Sequence, residues 1–191
     1  MKCSSRIAIC YLAVAIACTV AFPIRAQEVS APAVHGVVHF RRIGTTIACG
    51  GATTPAAITE IKKMGFVSDI NFRLASEPGA DVEAEAAAAK AADLRYYHIP
   101  FDEHHPSDAA VTRFLNVITA SGIQPAYIHC SGGNRASTMW FIKLMVVDHW
   151  SVDRAYKEAT ALGMKNPAMK AFGIEYARTH KRPAGASGAV E

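Results

Sequence analysis

Residues 124–129 form an apolar, β-prone run that ends in His129-Cys130. A short Gly-bearing loop and Arg135 follow, and then Ala136 to Trp150 is apolar almost all the way round. A helix without a polar face is predicted to be buried on every side. The strand before it delivers Cys130 at its carboxyl end, and in open α/β sheets ligands bind beyond the carboxyl ends of the strands.

The loop Ser131-Gly132-Gly133-Asn134 between Cys130 and Arg135 has the composition of an anion cradle. Backbone N–H groups of a Gly-rich turn and of the helix start after it point at one spot and favour negative charge there. A thiol in such a place is favoured as the nucleophilic thiolate. The planar fork of Arg135 matches two oxygens of a tetrahedral anion. The chemistry implied is attack by a Cys thiolate on a phosphoryl or comparable sulfur-centred group.

The rest of the chain alternates strands and helices. Val37 to Cys49 offers one or two short strands. Thr54-Pro55 starts a helix that Gly65 stops. Phe66 to Phe72 reads as a strand, Asp81 to Asp93 as an Ala- and Glu-rich helix, and Leu94 to Phe101 as the next strand. Ser107, Ser151 and Asn166-Pro167 each open a later helix. This order predicts a central, mostly parallel sheet of four to five strands flanked by helices. It also sets Arg73 and Asp102 beyond two other strand ends, on the same rim as Cys130.

The beginning of the chain reads differently. Lys2 and Arg6 precede an apolar run from Ile7 to Phe22, and Ala26 offers a small residue for cleavage, so residues 1–26 are expected to be a signal peptide. The protein is therefore expected to be secreted or periplasmic, without a membrane partner unless Cys18 is lipidated. Removing those residues lowers the formal charge from +4 to about +1, which leaves no electrostatic case for nucleic acid. It also leaves two cysteines, Cys49 and Cys130, too few for a disulfide scaffold. Residues 27–36 read as a flexible lead-in, 37–180 as one catalytic domain and 181–191 as a disordered, Gly- and Ala-rich tail.

The segment His129-Cys130-Ser131-Gly132-Gly133-Asn134-Arg135 resembles the signature loop of the Cys-dependent protein tyrosine and dual-specificity phosphatases. Over roughly residues 38–178 the chain is similar to their bacterial beta-lactamase-hydrolase-like branch, whose domain also occurs fused to NAD kinase. Gly50-Gly51, Asp69-Ile70-Asn71-Phe72-Arg73, Ile99-Pro100-Phe101-Asp102 and Trp150-Ser151-Val152-Asp153-Arg154-Ala155 carry that similarity. Four residues separate Cys130 from Arg135 where the usual signature has five. The shorter spacing is common in this branch and is also known in rhodanese-type sulfurtransferases.

The resemblance implies hydrolysis of phosphomonoesters, with a phosphorylated protein or a small phosphate ester as substrate and with no cofactor. Cys130 is then the nucleophile. Ser131 to Asn134, Arg135 and Arg73 bind the anion. His129 orients the loop, and Ser137 reads equally as a donor to the thiolate or as an ordinary buried helix serine bonded to local backbone. Asp102 is the first candidate for the general acid, with Asp108, His104 and His105 as others. Cys49 reads either as a redox partner of Cys130 or as an unrelated buried thiol. Arg73 reads equally as a partner of Asp69 or Glu77. His98, His104, His105 and His129 match no metal-ligand spacing, so no metal is expected. Two other readings stay open: sulfur transfer through a persulfide on Cys130, and a catalytically weak module that binds phosphorylated ligands.

Overall fold

The computed structural model describes residues 28–180, so the expected signal peptide with Cys18 and the tail from 181 lie outside the described residues. Six strands form one sheet: β1 (Val29–Ser30), β2 (Arg41–Ile43), β3 (Ile47–Gly50), β4 (Ser68–Asn71), β5 (Arg95–His98) and β6 (Ala126–His129). Their order is β1-β2-β3-β6-β4-β5. The four strands β3, β6, β4 and β5 run parallel, while β2 and then β1 add antiparallel at one edge. The sixth strand falls in the segment read as a flexible lead-in. There Val29 pairs with Ile43 and packs against the core, which fixes the chain.

A 3₁₀ turn at Pro55–Ala57 runs into α1 (Ile58–Lys63), followed by α2 (Val82–Ala91), α3 (Asp108–Thr119), α4 (Asn134–Val146), α5 (Val152–Leu162) and α6 (Pro167–Thr179). Asp81 caps α2 through the Ala84 N–H, and Asn166 caps α6 through the Ala168 N–H. Thr54 and Ser107 precede their helices without a side-chain cap, and Gly65 (φ 92°) supplies the left-handed stop after α1. Residues 135–146 of α4 are all buried, as expected for a helix with no polar stripe, and α4 packs against both α5 and α6. Among the described residues no helix is long and apolar enough to cross a membrane.

Alternation along the strands sorts side chains into two cores. Ile47, Cys49, Ile70, Phe72, Ile128 and Cys130 face the layer of α3 to α6. Ala48 and Tyr127 face the smaller layer of α1 and α2 with Phe40 and Phe66. The parity that turns Cys130 toward α4 turns His129 the opposite way. All four residues of β6 are buried, as a central parallel strand requires.

Close packing beside β6 leaves no space at Gly50. A Cβ there would stand 2.0 Å from the Tyr127 hydroxyl, which hydrogen-bonds Thr53 Oγ1 at 2.7 Å. Gly50→Ala is expected to lower stability in urea unfolding by about 1–3 kcal/mol through overpacking. A change below about 0.5 kcal/mol, the usual range for surface sites, would show that this approach is not tight.

Candidate active site

Cys130 follows β6 directly, 1% exposed, with its N–H on the Gly50 carbonyl at 3.3 Å. Gly133 takes φ 90° just before α4 begins, a conformation that residues with a Cβ rarely adopt. This turn sends the Gly133 N–H onto Cys130 Sγ at 3.1 Å. The loop thus curls over the sulfur as the sequence suggests, and the first turn of α4 starts directly beyond it.

Arg135 is 5% exposed and fully engaged on one side of its fork. Nη1 donates to Glu77 Oε1 at 2.6 Å and to the carbonyls of Phe101 and Phe72 at 3.1 and 3.3 Å. Nη2 donates to Glu77 Oε2 at 2.9 Å and to Ser131 Oγ at 2.9 Å. Nε makes no hydrogen bond among the described residues. Burial opposes the guanidinium charge, but the Glu77 hydrogen bonds and the nearby Cys130 outweigh it and hold Arg135 more firmly cationic. Burial likewise opposes ionisation of Glu77, yet Arg135, the Leu74 N–H and Arg73 together hold its carboxyl below the usual range.

Arg73 lies in the same layer, with Nη2 and Nη1 on the carbonyls of Pro78 and Gly79 at 2.7 and 2.9 Å and Nε 3.4 Å from Glu77 Oε2. Its partner is thus Glu77, while Asp69 lies with His129. A cleft of about 350 Å³ opens above these groups, walled by Arg73, Leu74 and Pro78 on one side and by Asp102, Glu103 and His104 on the other. Ser131, Glu77 and Arg135 line it, while Cys130, buried one residue before Ser131, is not among its lining residues. A larger groove of about 560 Å³ runs along α3 past Tyr97 and Arg113 and contains none of the candidate residues.

The acid candidates separate by position. Asp102 lines the cleft, where the His104 N–H (2.9 Å) and His105 Nδ1 (3.0 Å) hold its carboxyl below the usual range. His104 also lines the cleft, and His105 is exposed. Asp108 starts α3, away from the cleft lining, 3.8 Å from His180. His98 bonds the Arg73 carbonyl at 2.8 Å. Of the two readings of Ser137, the hydrogen bonds match the local one. Its hydroxyl donates to the carbonyls of Gly133 (2.9 Å) and Asn134 (3.0 Å), so its one proton serves the helix start rather than the sulfur.

The two cysteines are free and buried. Cys49 pairs with Ile128, two residues before Cys130 on the neighbouring strand. Strand spacing and that offset put the two Cα atoms about 8 Å apart, beyond the ~7 Å that a disulfide spans without backbone movement. Burial, with Cys130 adding to it, pushes the Cys49 thiol well up.

Behind the loop lies a polar group that sequence reasoning missed. His129 Nε2 is 2.8 Å from Glu85 Oε1 and 3.3 Å from Asp69 Oδ1, all fully or nearly fully buried, and its ring stacks on Tyr127. Neither Asp69 oxygen has a hydrogen-bond partner among the described residues. Among those residues this is the set whose atoms, within 4.8 Å of one another, could hold a metal ion. It supplies three ligands where a closed zinc site takes four, and Nε2 is already engaged by Glu85. The group reads as a buried ion pair. Burial alone would push His129 down, but the charges of Asp69 and Glu85 and the hydrogen bond to Glu85 push it up to about 10. Glu85 left a weak trace in the sequence, an acid one turn before the buried Ala89, on the inner face of α2.

The family described as "Beta-lactamase hydrolase-like protein, phosphatase-like domain" matches residues 39–146. No curated protein sequence matches the chain. Among solved structures, a putative phosphatase (DUF442) from Shewanella putrefaciens CN-32 superposes with TM-score 0.64 at 18% identity, over 77% of this chain and 94% of that one. P. aeruginosa TpbA, as a Cys-to-Ser variant in complex with pTyr, gives TM-score 0.55 at 18% identity over 87% and 95%. The core catalytic domain of the PP-IP phosphatase SIW14 from S. cerevisiae, in complex with citrate, gives 0.57 at 14% identity over 78% and 93%. The fold is that of the Cys-dependent phosphatases.

A histidine raised from 6.5 to about 10 on folding contributes stability that is complete below pH 6.5 and drains as pH rises toward 10. The raised Cys49 thiol and Tyr127 phenol add to this loss only as their unfolded values of 9.0 and 10.0 are approached. Urea unfolding free energy is therefore expected to fall between pH 6.5 and 9, with His129→Gln flattening the slope. An unchanged slope in that variant would refute the ion pair.

Proposed function

The chain belongs to the beta-lactamase hydrolase-like protein, phosphatase-like domain family, and from that premise we propose that it hydrolyses phosphomonoesters through a phosphocysteine. The observation that carries the reading is the loop geometry, a Gly133 N–H on Cys130 Sγ at 3.1 Å beside a guanidinium locked by Glu77. Cys130 attacks phosphorus as the thiolate, forming an S–P bond as the ester P–O bond breaks. The leaving oxygen takes a proton from Asp102. Arg135 Nε and the N–H groups of residues 131–135 stabilise the equatorial oxygens. Water then attacks phosphorus, Asp102 carboxylate takes its proton, and phosphate leaves with the thiolate restored.

The substrate is a phosphorylated protein or a small phosphate ester. The pTyr complex of TpbA supports the first and the PP-IP phosphatase the second. The leader-like residues 1–26 support action outside the cytoplasm. Sulfur transfer is the second reading, favoured by the four-residue interval between Cys130 and Arg135.

Reduced protein lacking residues 1–26 is expected to hydrolyse phenyl phosphate, and Cys130→Ser to lose roughly 10³-fold or more in kcat. Absence of hydrolysis together with Cys130-dependent sulfur transfer from thiosulfate would replace the phosphatase reading with the second one. Asp102 must be protonated to act as the acid, and its free-state pKa is lowered by His104 and His105. Hence kcat/KM is expected to fall as pH rises from the acid side, and Asp102→Asn is expected to remove that limb. A limb that persists in Asp102→Asn would assign the acid to another group.

A further inference from the structure

The segment from Asp102 to Pro106 carries the proposed acid, yet little fastens it. Phe101 before it is buried, with its carbonyl on Arg135. The Asp102 carboxylate bonds only within the segment, to His104 and His105. Among the described residues, the hydrogen bonds that tie residues 102–106 to distant parts of the chain all end on Glu103. Its Oε2 accepts from Asn134 Nδ2 at 2.9 Å and from Asn166 Nδ2 at 3.5 Å. Asn134 is itself held at its other end, where Oδ1 accepts from the N–H groups of Lys165 and Asn166 at 2.9 and 3.0 Å. Asn134 is the last residue between Cys130 and Arg135, so one amide joins the nucleophile loop, the acid segment and the start of α6.

We propose that Glu103, clamped by Asn134 and Asn166, is a positioning residue that sets Asp102 over the leaving oxygen at a fixed distance from Cys130. This rests on the reading of Asp102 as the general acid. Glu103 needs no proton of its own in this role. What matters is an oxygen acceptor at the Oε2 position, and an amide side chain supplies one as well. Proton delivery depends on distances near that of a hydrogen bond, so a slack segment weakens protonation of the leaving group and leaves thiolate attack intact.

The test compares kcat/KM, which reports the first step, for Glu103→Ala, Glu103→Gln and Asp102→Asn. Two substrates are used: phenyl phosphate, whose leaving group needs a proton, and dinitrophenyl phosphate, whose leaving group departs without one. Asp102→Asn is expected to lose about 10²-fold or more on phenyl phosphate. Glu103→Ala is expected to lose about tenfold on phenyl phosphate and under about twofold on dinitrophenyl phosphate, with Glu103→Gln within about threefold of the parent on both. Equal losses on the two substrates in Glu103→Ala would make the residue merely structural and overturn the proposal. Glu103→Gln as impaired as Glu103→Ala on phenyl phosphate would overturn it too, by giving Glu103 the proton. Absence of leaving-group dependence in Asp102→Asn would instead remove the reading beneath it, a distinct result. If Glu103→Ala does not fold, Glu103→Asp, which keeps the charge but draws the carboxylate back from Asn134 and Asn166, is expected to show the same substrate-selective loss. No such selectivity there would also overturn the proposal.

Discussion

A guanidinium at the start of a buried helix is a costly thing to fold, and the site is organised around making it tolerable. Arg135 sits where the helix dipole disfavours a cation and where water is nearly absent. Glu77 answers with both carboxylate oxygens, and the carbonyls of Phe72 and Phe101 add to it. These partners come from the ends of two other strands and the loop after β4. Satisfying one charge therefore fixes the relative positions of three segments that lie far apart in sequence. Removing Glu77 would leave an uncompensated buried cation, so its role in the fold and its role in holding the anion-binding edge cannot be separated.

The parity of β6 divides the labour at the rim. Cys130 faces the α3–α6 layer, packed among its apolar side chains with the Gly133 N–H on the sulfur. His129 faces α2, where Asp69 and Glu85 surround it. An imidazole and a thiol adjacent in sequence thus lie on opposite sides of the sheet, joined by backbone. His129 shapes the reactive loop by anchoring the strand that delivers it, and Phe72 N–H on the His129 carbonyl at 2.9 Å extends that anchor to β4.

Much of this was legible in the chain itself, because it is local or periodic. The strand–loop–helix unit at 124–150, the alternation of strands and helices, the loop around the sulfur and the common rim of Arg73, Asp102 and Cys130 follow from local patterns and from where the strands end. What escaped was pairing across layers. Glu77 was visible only as a possible partner of Arg73, and Glu103, Asn166 and the Asp69–Glu85–His129 group had no spacing to announce them. Ser137 stayed open between the sulfur and the local backbone, because adjacency to Arg135 suggested the one and carbonyls one turn back the other. Val29–Ser30 looked like a lead-in because two residues are too few to show alternation, and only Ile43 across the sheet makes them a strand.

The rim is built in two materials. The sulfur, the Gly loop and Arg135 hang from a central strand bonded on both sides, so altering any of them disturbs the sheet itself. The opposite wall, residues 102–106, touches the rest through one carboxylate and two amides. A change in the length or charge of that wall therefore costs the fold little, so the outline of the cleft can vary while the groups carried by the central strand stay fixed.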